Sequence, residues 1–207
     1  MTFELWLLYL AAAVGLSLTP GPNGLLCLSH GATYGFRRTL STVAGGALGF
    51  LVLIAVSLAG LGALLAASER AFAVAKWIGA AYLVHLGIRL WRSPAPAVAQ
   101  PDRGAAAAGM PPMRMFLQGL LVAVSNPKGL IFFAAFLPQF MVPGTPYGLE
   151  LAVFGGTFVA VEIAYELAVA KLAHVVAPWL ARHGRAFNRA TGAAFVGLGA
   201  ALAASRR

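Results

Sequence analysis

Charged residues are absent from long reaches of this chain, and those reaches set its elements. Between Glu4 and Arg37 there is no Asp, Glu, Lys or Arg. A straight membrane crossing needs about 20 apolar residues. This run is therefore too long for one crossing and too short for two with a turn between them. In its middle stands Thr19-Pro20-Gly21-Pro22-Asn23-Gly24. The prolines remove backbone donors and free the carbonyls of Leu16 and Leu18. Bare backbone groups are costly in lipid, so such a break is tolerated only against protein or a wet cavity. The pattern predicts a first span from Phe3 toward Phe36, broken near mid-depth, with the break marking a site.

The same reasoning predicts further helices over about 39–67, 71–90, 115–137, 148–173 and 190–204. Residues 93–112, rich in proline and alanine, form the connector, and Pro138, Pro143 and Pro146 mark a short turn region. A second break, Ser125-Asn126-Pro127-Lys128-Gly129, interrupts the apolar run between Arg114 and Glu150. Pro22-Asn23-Gly24-Leu25-Leu26 aligns with Pro127-Lys128-Gly129-Leu130-Ile131 at an offset of 105. Gly45-Gly46 matches Gly155-Gly156 at 110, and Gly79-Ala80-Ala81-Tyr82-Leu83 matches Gly192-Ala193-Ala194-Phe195-Val196 at 113. Three ordered matches suggest a duplicated three-span unit, residues 1–92 and 113–207, within one transmembrane domain, 1–207. An odd span count inverts the second copy, the architecture of transporters whose broken helices meet at the midplane.

Composition agrees with this reading. The chain is 60% hydrophobic and only 10% charged, against about 25% charged in soluble domains. The expected fold class is all-α, a polytopic membrane protein with six transmembrane helices as two inverted repeats whose first helices are broken. The N-terminal stretch reads as the first span rather than a cleaved leader, because it opens with Glu4 and its apolar run is too long. The single Cys27 allows no internal disulfide and no CxxC redox pair. The formal charge of +9 belongs to loop arginines that fix orientation rather than to nucleic-acid binding. With six spans, nine arginines (37, 38, 89, 92, 103, 114, 182, 185 and 189) face one side, and Arg70, Arg206 and Arg207 the other. The richer side is predicted to be cytoplasmic and both termini periplasmic, although Arg206 and Arg207 fit this poorly.

The candidate chemistry gathers at the breaks. Asn126 suits a helix N-cap and Pro127 the first helical position; Gly21 and Pro22 hold the matching places. Free N–H groups and the dipole at a helix N-terminus favour an anion. Lys128, just inside the second half-helix, opposes that dipole, which makes sense if the pair together hold a carboxylate. Alternatively it snorkels or pairs with a glutamate. Asn23 places an amide at the first break. Glu162 and Glu166 are four apart on one helical face, and a carboxylate inside a membrane usually marks an ion or proton path. Glu162 lies nearer mid-depth. Ion pairs of Glu166 with Lys171, or Glu162 with Lys128, are the structural alternatives. His85 could titrate near neutrality but more ordinarily packs in a hydrogen bond. Tyr34, Trp77, Trp91 and Trp179 suit interfacial anchors.

Thr19-Pro20-Gly21-Pro22-Asn23, Gly79-Ala80-Ala81-Tyr82-Leu83 with Leu86-Gly87, Asn126-Pro127-Lys128 and Leu137-Pro138-Gln139-Phe140 together resemble the LysE/RhtB family of amino-acid exporters. The resemblance covers nearly the whole chain. It implies a bacterial inner-membrane exporter driven by the proton motive force, with Pro20, Gly21, Pro22, Asn126, Pro127 and Lys128 as signature positions. An acidic residue near Glu162 also fits the family; Glu166 does not map onto its pattern. The implied partners are an amino acid, protons and the lipid bilayer, with no cofactor and a homo-oligomer left open.

Other classes fit less well. A redox carrier wants paired cysteines. Metal export wants clustered ligands, and His30, His85, His174 and His183 are scattered. Export of another small solute stays open, whereas a non-transporting scaffold leaves the broken helices and buried charges without purpose. No nucleophile or nucleotide motif suggests an enzyme. The expected mechanism places the substrate carboxylate at Gly21–Asn23 and Asn126–Lys128, and its ammonium at Glu162, which also carries the proton.

Overall fold

The structure, a computed structural model, describes residues 2–19, 21–67, 69–94, 109–141 and 144–204. These residues are helical, with no strand among them. Helix α1 (Phe3–Leu18) starts at Thr2, whose hydroxyl accepts the Leu5 N–H at 3.4 Å. Pro20 lies outside the described residues. Helix α2 (Pro22–Tyr34) then begins with Gly21 as N-cap and Pro22 in its first turn, bent 53° from α1. Gly35, at φ +80°, turns the chain in one residue into α3 (Phe36–Ala67). A side chain strains that left-handed backbone. α4 spans Glu69–Arg92.

The second half opens the same way. Helix α5 (Pro112–Val124) ends at Ser125, and Asn126 caps α6 (Pro127–Phe136) by accepting the Lys128 N–H at 3.1 Å. The bend here is 46°. After a 3-10 turn over Leu137–Gln139, helix α7 (Tyr147–Lys171) passes through a π-helical turn at Leu151–Gly155. α8 runs Ala173–Ala204.

Among the described residues, Phe36–Gly60 and Tyr147–Lys171 are long and apolar enough to cross a membrane, up to four spans if each bent pair is one, against the six expected. Helices α4 and α8 do not enter that count. The final helix also differs from expectation: it begins at Ala173 rather than near residue 190. Pro178 lies inside it and removes one backbone donor, but the segment is amphipathic. Ala173, Leu180, Gly184 and Asn188 are buried while Arg182, Arg185 and Arg189 are exposed. The Asn188 amide also donates to the Pro94 carbonyl at 2.7 Å. A face that packs outweighs one lost hydrogen bond.

The two halves of the chain interlock. Helix α3 packs on α5 through small residues, and a Cβ on Gly49 would stand 2.6 Å from the Ala123 Cβ. Helices α4 and α8 run antiparallel in backbone contact. A Cβ on Gly87 would meet the Gly192 carbonyl at 2.6 Å, and one on Gly199 the Ala80 carbonyl at 2.9 Å. Such close approach is how membrane helices associate, since lipid gives them no hydrophobic drive. An aromatic cluster fills the centre: Tyr9, Phe50, Phe133, Phe140, Phe154 and Phe158 are buried. The Tyr9 hydroxyl donates to the Phe154 carbonyl at 3.0 Å, inside the π-helical turn.

Candidate functional site

The breaks bring the two halves together through Lys128. Its ammonium donates to the carbonyls of Leu16 at 2.8 Å and Thr19 at 3.0 Å. Leu16 is one of the carbonyls that the prolines free. A cation at the second position of α6 opposes that helix's dipole, but the same charge sits at the C-terminal end of α1, where the dipole favours it. The apparent misplacement in one helix is thus a cap for the other. Gly21 admits the lysine: a Cβ there would lie 2.9 Å from Nζ. The hydrogen bonds of Lys128 go to backbone carbonyls rather than to a carboxylate.

Helix α7 supplies the acids. Glu162 and Glu166 are both buried, at 3% and 0% exposure. Glu162 accepts a short hydrogen bond from the hydroxyl of Ser17, one turn before the break in α1. Glu166 accepts from the Asn23 amide at 3.0 Å, in the first turn of α2. Its other oxygen, Oε2, and Asn23 Oδ1 have no hydrogen-bond partner. The Cys27 thiol also borders Glu166, but a thiol is a weak donor. Lys171 is exposed, away from the buried Glu166. Gly46 of α3 closes the cluster: a Cβ there would come within 2.6 Å of Asn23 Nδ2 and 3.2 Å of Glu166 Oε2.

The structure therefore brings Gly21, Asn23, Lys128, Glu162 and Glu166 to one place, with Asn126 and Pro127 starting the helix that carries Lys128. Ser17, Cys27 and Gly46 complete it, and sequence reasoning assigned none of them to the site. A polar Ser17 deep in the apolar α1 was the available signal for the first. Gly46 looked like a packing glycine because its neighbour Gly45 is one. His85 is exposed on α4, apart from this cluster. His30, by contrast, is buried and shares a 2.8 Å hydrogen bond with Thr42.

Two cavities lie along the same helices, and neither has Glu162, Glu166, Asn23 or Lys128 in its lining. One, of about 330 Å³, is lined by Leu18, Gly24, Leu28, Tyr165, Val169 and Leu180 among others. Tyr165 seals its inner end against α2, since a Cβ on Gly24 would stand 2.6 Å from the tyrosine oxygen. The other, of about 590 Å³, lies by Phe3, Trp6, Phe140, Glu150 and Phe154, toward the N-terminus of α1.

The LysE type translocator family model matches residues 14–206. A homoserine/homoserine lactone efflux protein of Salmonella typhimurium is 35% identical over 100% of this chain and 99% of its own length. An uncharacterised membrane protein of Vibrio cholerae is 33% identical over 100% of both chains. A leucine efflux protein of Klebsiella pneumoniae is 30% identical over 66% of this chain and 63% of its own. No solved structure matches. With its signature breaks placed around a shared buried site, the chain belongs to the LysE family of translocators, membrane transporters and not enzymes.

Proposed function

We propose that this translocator exports amino acids or close derivatives across the bacterial inner membrane, coupled to proton influx. The observation that carries the reading is the meeting of both helix breaks with the paired carboxylates of α7. Six spans arranged as two inverted repeats account for the ordered sequence matches and for the parallel design of the breaks at Gly21 and Asn126. In the proposed orientation both termini face the periplasm and the arginine-rich first half of α8 lies on the cytoplasmic side.

The substrate binds at the breaks. Its carboxylate, where it has one, meets the unpaired N–H groups at the starts of α2 and α6. Gly21, Pro22 and Pro127 stand at those starts, and Asn126 and Lys128 hold them in place; Pro20, also proposed for the site, lies outside the described residues. Glu162, joined to Ser17, takes the proton on the return. Substrate and proton then compete for one charged cluster, which is enough for antiport. The apolar wall of the 330 Å³ cavity suits an uncharged side chain. The relatives point to homoserine, its lactone and leucine. The ammonium group is common to all three, whereas the free carboxylate is not, since the lactone lacks it.

The test is efflux from proteoliposomes preloaded with each of the common amino acids, homoserine or homoserine lactone, under an imposed pH gradient. External acid should accelerate the loss of at least one of them. Efflux no faster than from protein-free liposomes for every compound overturns the export reading.

A further inference from the structure

We infer that Asn23 and Glu166 form the subsite that holds the substrate's ammonium group, with Gly46 packed against the pair. The inference rests on the export reading and assigns to Glu166 a task distinct from that of Glu162.

Buried polar atoms in folded proteins nearly always have a hydrogen-bond partner. Here two acceptors without one flank the same bond. Asn23 Nδ2 donates to Glu166 Oε1, while Asn23 Oδ1 and Glu166 Oε2 are left bare. Turning the amide over does not help, because it sets Oδ1 against the carboxylate. The side chains are 2% and 0% exposed, so bulk water does not satisfy them. Glu162 differs, since Ser17 already donates to it.

What would satisfy both atoms is a group that brings donors and, for an ionised Glu166, positive charge. The site's own cation does not supply them, because Lys128 is bonded to the end of α1. Cys27 offers one weak thiol donor, and Oε2 lacks a hydrogen bond even so. A primary ammonium has three donors, no acceptor and a unit charge. It can serve Oδ1 and Oε2 together and neutralise Glu166. Gly46 packs directly on the pair. Its missing side chain would stand 2.6 Å from Asn23 Nδ2 and 3.2 and 3.3 Å from the two carboxylate oxygens of Glu166.

The experiment measures binding to the purified full-length protein by calorimetry. The probes are the twenty common L-amino acids, L-homoserine, homoserine lactone, and the N-acetyl form of each compound that binds. Glu166→Gln keeps the shape and removes the charge. Gly46→Ala keeps Asn23 and Glu166 but crowds them, its Cβ falling 2.6 Å from Asn23 Nδ2, and carries the test where the glutamine variant does not elute as a folded species. Losing a charge-assisted hydrogen bond should weaken the ammonium-bearing compounds by about tenfold to a hundredfold. Binding of the N-acetyl forms should not change, so the parent's preference for a free ammonium collapses in the variants. If the parent binds amino acids and the variants bind them equally well, the subsite is wrong while the export reading stands. If the variants lose the free and N-acetyl forms alike, the cluster is only structural. If the parent binds none of these compounds, the export reading falls and the subsite with it.

Discussion

Replacing Lys128 with methionine separates a structural lysine from a substrate-binding one. The substitution keeps the length of the side chain and removes its charge. In the structure it deletes two charge-assisted hydrogen bonds, to the carbonyls of Leu16 and Thr19. Each such bond contributes about 1.5–3 kcal/mol. The loss is partly offset because the Leu16 carbonyl also accepts the Thr19 N–H at 3.1 Å, and because a freed side chain regains entropy. A net cost of about 2–4 kcal/mol follows. At roughly 2–4 °C per kcal/mol for a chain of this size, the Tm should fall by about 5–15 °C. Tryptophan fluorescence of the detergent-purified protein during heating reads this directly. Efflux of an amino acid and of its amide, measured side by side, should decline by the same factor, because both substrates use the same distorted break. An unchanged Tm with a loss confined to free carboxylates would refute the reasoning and turn the ammonium toward the substrate.

Three further expectations are open to measurement. Glu162→Gln should abolish efflux driven by a pH gradient while sparing substrate exchange, since the amide still accepts from Ser17 and mimics the protonated acid; parental pH dependence rules out the coupling role. In intact cells an impermeant thiol reagent should label a cysteine placed at Thr145 but not one at Arg103, and the reverse pattern ends the assignment of periplasmic termini. Gly192→Leu should unfold the protein at a much lower temperature than Gly197→Leu, because a Cβ at 192 lies 2.5 Å from the Gly87 carbonyl while one at 197 meets open space. Equal effects would mean that the α4–α8 contact is not tight.

The helix breaks were legible because proline acts locally. Pro22 and Pro127 remove donors wherever they stand, and Asn126 caps whatever helix follows it. The acids of α7 were legible because spacing of four residues fixes a shared face. What each acid touches was not. Ser17 and Asn23 lie more than a hundred residues away along the chain, and only packing chooses between them. Lys128 was read against its own helix, where its charge is unfavourable; the compensating dipole belongs to α1. The start of α8 was missed for a related reason. Pro178 and the arginines that follow look like a loop when counted singly, and become a helix only when their burial on one side is seen.

The π-helical turn at Leu151–Gly155 gives α7 a rotational phase that its composition does not reveal. An α-helix advances about 100° per residue, and a π-helical turn takes one residue more over about the same angle, so the turn absorbs a residue that would otherwise rotate everything beyond it. Tyr9 holds the turn from another helix by bonding the Phe154 carbonyl. Glu162 and Glu166 meet Ser17 and Asn23 only in the present phase. Closing the turn into regular α-helix with its residue count unchanged would swing both carboxylates off their partners, whereas deleting one residue from it would leave them in phase. The bearing of the acids is thus set by whether that upstream turn stays π-helical, and the Tyr9 bond to the Phe154 carbonyl is what holds it.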